Sequence, residues 1–334
     1  MRPMQSPVPA EWAPHRAMWV GFPSHADLWG EDLAEAQAEV AALARALAGP
    51  GGERVRLMVC GAAAEQSAGA LLAGADGVEI TPGRFGDVWL RDTGPIFLGP
   101  DRAAAFRFNG WGGKYVLAGD EAVAGQIAEA SGARFDVHDF VLEGGALDHD
   151  GEGTALVTRQ CLLNPNRNRA WTRARAEAAL KDALGVRKTI WLEEGLLHDH
   201  TDGHVDNLAR FVAPGVVAIP LAYGEGDPNG RIYDEAAAAL AGARDGAGRA
   251  LRVVRLASPG RVASEGGRPA PASHMNFVIA NRAVAAPLYN ARPGALALQG
   301  LEALFPGREV IGLPSRALLT GGGSFHCISR EEPA

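Results

Sequence analysis

Cysteine is scarce in this chain: Cys60, Cys161 and Cys327 are the only three among 334 residues. An odd, sparse set is no disulfide framework and suits a reducing compartment, so a cytoplasmic protein is expected. Long apolar runs are missing too. Nothing approaches the roughly 18 consecutive apolar residues of a membrane-spanning helix. The opening MRPMQSPVPAEW lacks the apolar stretch of a secretion signal. There is no long Lys/Arg run, and the net charge is -7, so nucleic acid is not an expected partner. An acidic surface suits a small cationic ligand instead. No break in composition is long enough to be a linker, and 1–334 reads as a single domain. With 47% hydrophobic residues it can bury a substantial core.

What is present is an alternation of helical and strand patterns. Leu33, Ala36, Val40, Leu43 and Leu47 follow a helical period, and further helices are expected over 120–130, 170–184, 233–241 and 294–305. Short apolar strands are expected over 55–60, 103–108, 155–157, 189–192, 216–219, 253–256, 277–280 and 310–313. The Pro/Gly/Ser-rich stretch 257–272 reads as a surface loop. Polar clusters beside glycines recur along the chain: LRDTGP at 90–95, EGG at 143–145, DGHVDN at 202–207, SHMNF at 273–277 and GGGSFHC at 321–327. Such spacing fits a repeated small α/β unit whose functional loops gather at one end.

The cysteines differ in their surroundings. Cys60, inside VRLMVC, and Cys161, in TRQCLLNPN, read as buried structural thiols. Cys327 follows three glycines and a histidine, where a substrate can approach the backbone closely and a thiol can react. A nucleophilic thiol needs a proton-transfer partner, for which His204 and His326 are candidates. Asp92, Glu143 and Asp206 all sit where apolar strands end. Several carboxylates around one thiol raise its pKa unless a cation joins them. A guanidinium ligand meets that need, since its planar fork binds paired carboxylates and its charge stabilises the thiolate.

At these residues the chain resembles the agmatine deiminase/peptidyl-arginine deiminase family of guanidine-modifying enzymes over nearly its whole length. The resemblance rests on VPAEWAPHRAMW at 8–19, DVWLRDTGPIF at 87–97, FNGWGG at 108–113, EGGALDHDGEGT at 143–154, CLLNPNRN at 161–168, DGHVDN at 202–207 and GGGSFHC at 321–327. It implies an α/β fold, a five-bladed pseudosymmetric propeller (pentein), and a hydrolase without cofactor that deiminates a small cationic guanidino substrate. It also implies roles: Cys327 as nucleophile, His204 as acid–base, Asp92 and Asp206 as guanidinium ligands, Glu143 as a further site carboxylate. Trp89, Gly322 and Gly323 would then lie beside the substrate.

HDHTDGHVDN at 198–207 also admits a metal reading through His198, His200, Asp202 and His204. The family reading takes only DGHVDN from it and makes the site a metal-free thiol centre. If that segment is extended, alternate spacing turns His204 and Asp206 to one face. A non-catalytic binder is the other rival, because the same propeller also serves a ribosome anti-association factor. Two departures bear on the far end of the substrate. Ser329-Arg330-Glu331 stands where the family has Thr-Gln-Gln, and His274 replaces a Tyr. Arg330 reads as a solvated surface residue, with a substrate-carboxylate contact as the alternative. Whether copies of the chain associate into a homo-oligomer is left open.

Overall fold

The central strands expected from the sequence all belong to one recurring unit: a short strand, an antiparallel partner, a crossover helix and a parallel third strand. The structure, a computed structural model, describes residues 6–264 and 266–334; the first five residues of the opening stretch lie outside it. In the first sheet β1 (His15–Gly21), β2 (Val55–Val59) and β3 (Val78–Pro82) run parallel. The second holds β4 (Ile96–Gly99), β5 (Arg102–Arg107) and β6 (Arg134–Val141). The third holds β7 (Leu147–His149), β8 (Thr154–Thr158) and β9 (Lys188–Leu192). The fourth holds β10 (Arg210–Ala213), β11 (Val216–Leu221) and β12 (Arg252–Ala257). The fifth holds β13 (Val278–Ile279), β14 (Ala283–Leu288) and β15 (Glu309–Pro314).

In sheets two to five the first pair is antiparallel and the second parallel. The last strand, β16 (Ser329–Pro333), pairs antiparallel with β1. The C-terminus thus supplies the hairpin partner that the first sheet lacks, and the ring is closed. The short strands at the front of neighbouring blades pack together: β16 against β4, and β7 against β10.

Helices Leu33–Ala48, Val123–Ser131, Arg173–Leu184, Gly230–Ala241 and Ala291–Leu304 make the crossovers. Leu33–Ala48 buries Ala36, Val40, Leu43 and Leu47, the stripe that its sequence announces. Strands in the middle of a blade are covered on both faces, and so TALVT in β8 is buried throughout. No helix among the described residues is long and apolar enough to cross a membrane.

Because the crossovers make these strands parallel, their C-terminal ends all face one end of the ring. The segments that leave them carry the polar clusters: 89–93 after β3, 143–146 after β6, 198–207 after β9, 273–277 after β12 and 321–327 after β15. Their recurrence in the sequence is therefore the recurrence of the blade. The 109–115 and 161–168 segments, after β5 and β8, leave from the same end.

Candidate active site

Three loops meet at Gly145. A Cβ there would lie 2.5 Å from His204 Nδ1 and 3.0 Å from both Asp206 Oδ2 and Asp92 Oδ1. Only glycine leaves this point free, which is the physical content of the second glycine in EGG. Asp92 sits in the one-turn helix Leu90–Thr93 and is 6% exposed. Its Oδ1 accepts from Gly145 N (2.9 Å) and its Oδ2 from Trp111 Nε1 (2.9 Å), so the carboxylate is fixed before any ligand arrives. Asp206 is fully buried, and His326 Nδ1 donates to its Oδ2 at 2.8 Å. Among the described residues, Asp206 Oδ1 has no hydrogen-bond partner. A buried carboxylate oxygen left without a donor is costly and marks where an N–H group would bind.

The segment holding His204 and Asp206 is not a plain extended run. His204 is extended, but Val205–Asn207 forms a 3-10 turn, and this turn rather than strand alternation brings the two side chains together. His204 Nδ1 is 3.7 Å from Asp92 Oδ1. Burial would push the His204 pKa down; Asp92, contact with Cys161 and Glu143 overcome it and hold the pKa well above the ordinary value.

Cys327 lies at the end of the glycine-rich loop, with its Sγ 3.9 Å from Asp206 Oδ2. Asn276 holds it: Nδ2 donates to Sγ (3.1 Å), and Oδ1 accepts from the backbone N of His326 (2.9 Å) and of Cys327 (3.3 Å). Burial, then the Asp206 and Asp92 charges, push the thiol well above its ordinary pKa, with the Ser324 backbone and Asn276 acting weakly the other way. The Trp89 ring packs against the glycines. A Cβ on Gly323 would fall 2.5 Å from that ring and 3.1 Å from Cys327 Cβ, and Gly322 holds a φ of +103°. Asp87 accepts from the indole N–H groups of both Trp29 (3.1 Å) and Trp89 (2.8 Å) and so sets the angle of the Trp89 ring.

Glu143 is buried against Arg167, whose Nε donates to it at 2.5 Å while Nη1 reaches Asp202 at 2.6 Å. Glu143, Cys161 and His204 offer ligand atoms within 4.8 Å of one another and are the one group among the described residues that could hold a metal ion. Arg167 already places a positive charge on Glu143, which disfavours a second cation beside it. His198 and His200 do not join His204; both are exposed and line the rim of a cavity of about 890 Å³. The metal grouping read from HDHTDGHVDN is therefore not assembled.

That cavity opens at the edge of the Gly321–Gly322 turn and is walled on one side by residues 262–264, 266 and 268–271. Three of the four non-glycine residues with left-handed backbone among the described residues, Trp111, His198 and Asp202, are around this site. Strain of that kind, of order 1–3 kcal/mol each, persists where surrounding structure enforces it.

A family model for the Porphyromonas-type peptidyl-arginine deiminases matches residues 7–333. The chain belongs to that deiminase family. It is 39% identical to the agmatine deiminase of Stutzerimonas stutzeri (strain A1501), over 98% of this chain and 95% of the relative. Among solved structures it is similar to the agmatine deiminase of Enterococcus faecalis, with a TM-score of 0.91 and 29% identity over 98% of this chain and 95% of that one. A Cys-to-Ser variant of the C. jejuni agmatine deiminase with substrate bound gives a TM-score of 0.88 and 27% identity, covering 98% and 96%. The five sheets are thus the five-bladed α/β propeller of this deiminase family.

Within the family frame, Arg330 corrects the reading from sequence. It is 2% exposed, not solvated, and it points behind the site, donating to the Arg91 backbone carbonyl and facing Glu331 at 3.7 Å. His274 is also buried; its Nδ1 is bonded to the Ala257 carbonyl (2.8 Å) and its ring stacks on Tyr289. Asn276, Gly145, Asp87, Trp111 and Arg167 were not singled out from the sequence. The SHMNF and EGG clusters and the FNGWGG and CLLNPNRN matches were the available signals.

Proposed function

We propose that this site hydrolyses the guanidinium group of a small cationic substrate, agmatine in first place, releasing ammonia and a ureide (N-carbamoylputrescine). One observation supports the reading above the others: the Cys327 thiol stands beside two buried carboxylates, one of which, Asp206, has an oxygen with no partner among the described residues. A positively charged, planar, N–H-rich group is what that arrangement lacks.

In this reading Asp92 and Asp206 take the guanidinium N–H groups and Trp89 flanks its plane. The ligand's charge offsets the two carboxylates that keep the thiol protonated, so Cys327 becomes a thiolate only when substrate is in place. Its sulfur attacks the guanidinium carbon. The C–N bond breaks as the departing nitrogen takes a proton from His204, leaving an S-alkylthiouronium on Cys327. Water, giving its proton to His204, then adds to the same carbon. The C–S bond breaks and the ureide leaves.

The far end of the substrate faces the cavity, whose lining includes the carboxylates Asp32, Glu35, Asp87, Asp199 and Asp202 against the cations Lys114, Arg268 and Arg316. Asp202 is already paired with Lys114 and Arg167, which leaves Asp32, Glu35, Asp87 and Asp199 against Arg268 and Arg316, a balance that favours a terminal ammonium over an added carboxylate. Arg330, engaged with the Arg91 carbonyl and Glu331, does not add to the positive side of that balance. Agmatine is therefore expected to exceed arginine in kcat/KM by about tenfold or more. The check is ammonia release in one buffer from agmatine, arginine, an arginine-containing peptide and a methylated arginine. A clear preference for any of the last three would remove agmatine from the proposal.

A further inference from the structure

Beside His204 sits a thiol that the reaction above does not use. Cys161 is fully buried in the short helix Arg159–Leu162 that follows β8. This turn is fastened to the His204 loop. Thr158 Oγ1 accepts from Cys161 N (3.2 Å) and donates to the carbonyl of Gly203 (2.6 Å), the residue just before His204. Gln160 Oε1 accepts from Gly195 N (3.0 Å), and a Cβ on Gly203 would meet that Gln160 oxygen at 2.8 Å. Cys161 Sγ, a carboxylate oxygen of Glu143 and a ring nitrogen of His204 all lie within 4.8 Å of one another. Glu143 Oε1 is engaged by Arg167, and His204 Nε2 has no hydrogen-bond partner at ordinary distance among the described residues.

We infer that Cys161 is a positioning residue for His204: its sulfur takes the far nitrogen of the imidazole and fixes the ring's tilt toward Asp92 and the thiol of Cys327. This inference rests on the deiminase reading above. A thiol suits the place because it can accept from imidazolium or donate to imidazole, so it follows the ring through both halves of the reaction without adding charge. The groups that face His204 are Asp92, Asp206, Glu143 with its partner Arg167, and Cys161; the carboxylates and the sulfur favour the protonated ring, and Arg167 opposes them. His204 contact and charge act downward on the Cys161 thiol, but burial outweighs them and keeps it raised and neutral.

The test compares Cys161→Ala and Cys161→Ser with wild type in agmatine deimination, following kcat, KM, the pH profile and thermal midpoint. Cys161→Ala is expected to lower kcat about tenfold, the worth of one hydrogen bond to a charged group, with little change in KM. Activity requires imidazolium, so its alkaline limb should move to lower pH when a group that favours the proton is removed. Cys161→Ser, nearly isosteric and able to donate and accept, should recover most of kcat and return the limb toward wild type. Profiles superimposable on wild type in both variants, or a loss that serine does not restore while the limb stays in place, overturn the inference. If Cys161→Ala folds poorly, Cys161→Val, close in size and unable to hydrogen-bond, takes its place with the same expected shift of the limb, and a valine profile superimposable on wild type contradicts the inference. Absence of ammonia release by wild type from every guanidino compound would instead remove the underlying reading, so the two failures are distinct.

Discussion

Cys327→Ser is expected to keep its fold and lose turnover, by on the order of 10⁴-fold or more. The side chain is nearly buried and serine is slightly smaller, so packing against Trp89 and the Asn276 contacts changes little. The chemistry changes completely. A hydroxyl beside Asp206 and Asp92 has no means of ionising near neutral pH, even when a guanidinium offsets the carboxylates. Substrate binding should survive, since Asp92, Asp206 and Trp89 are untouched. The measurements are ammonia release, agmatine binding by calorimetry and the thermal midpoint of the same preparation. A folded serine variant that retains a few per cent of wild-type turnover would show that Cys327 is not the nucleophile.

Asp92→Asn and Asp206→Asn should each cost about 2–3 kcal/mol, close to a hundredfold in kcat/KM. The two reach that loss differently. Both oxygens of Asp92 already accept from N–H groups, Gly145 N and Trp111 Nε1, so either orientation of an asparagine turns its NH₂ onto a donor. Asp92→Asn should therefore lower stability as well as activity. At Asp206 an asparagine oxygen can keep the His326 bond, which leaves the NH₂ aimed where a guanidinium N–H would bind. The Cys327 thiol supplies a second readout of opposite sign. Asp206 and Asp92 both push its pKa up, so removing either charge lowers it and speeds alkylation by iodoacetamide while deimination falls. Near-normal kcat/KM in both variants would place the guanidinium pocket elsewhere.

How much of this was legible beforehand varies with the kind of element. Central strands such as Arg102–Arg107, Thr154–Thr158 and Val216–Leu221 and the amphipathic crossover helices follow the sequence closely, because each is long enough to show its period; the central strand of the fifth blade, Ala283–Leu288, was missed. Of the leading strands, Val278–Ile279 falls within the expected 277–280, whereas Ile96–Gly99, Leu147–His149 and Arg210–Ala213 were missed, being too short for any alternation to emerge. The outer strand Arg134–Val141, RFDVHDFV, carries polar residues on both faces because it forms a solvent-exposed edge. The most misleading stretch was SREEP. Arg330 reads there as a solvated residue, yet the whole stretch is buried, since β16 closes the ring and its charges are met by groups distant in sequence. Glu332 pairs with Arg16 and accepts from Trp19 Nε1, and Glu331 pairs with Arg91 at 2.7 Å.

The candidate site divides in the same way. Asp92, Glu143, His204, Asp206 and Cys327 stand in loops whose recurrence was visible, and the structure gathers those loops at one end of the ring. Gly145 was hidden because its importance is a clearance between three loops, which no local pattern records. Asn276 was hidden because its amide acts on a residue 51 positions away. Cys161 looked like a core thiol and is fully buried as expected, but the side of it that matters faces His204.

The central claim is that guanidine deimination runs through a covalent bond to Cys327, and the most direct measurement is to stop the reaction and weigh the enzyme. Agmatine is mixed with excess protein, quenched in acid within the first turnover, and the digested peptides are mapped by mass. The expected result is an adduct of agmatine less ammonia on the peptide carrying Cys327, with none on those carrying Cys60 or Cys161. It should persist longer in His204→Asn if any forms there, because water then lacks its base. Rapid ammonia release with no adduct on Cys327 at any quench time, or an adduct on Cys161, would contradict the account.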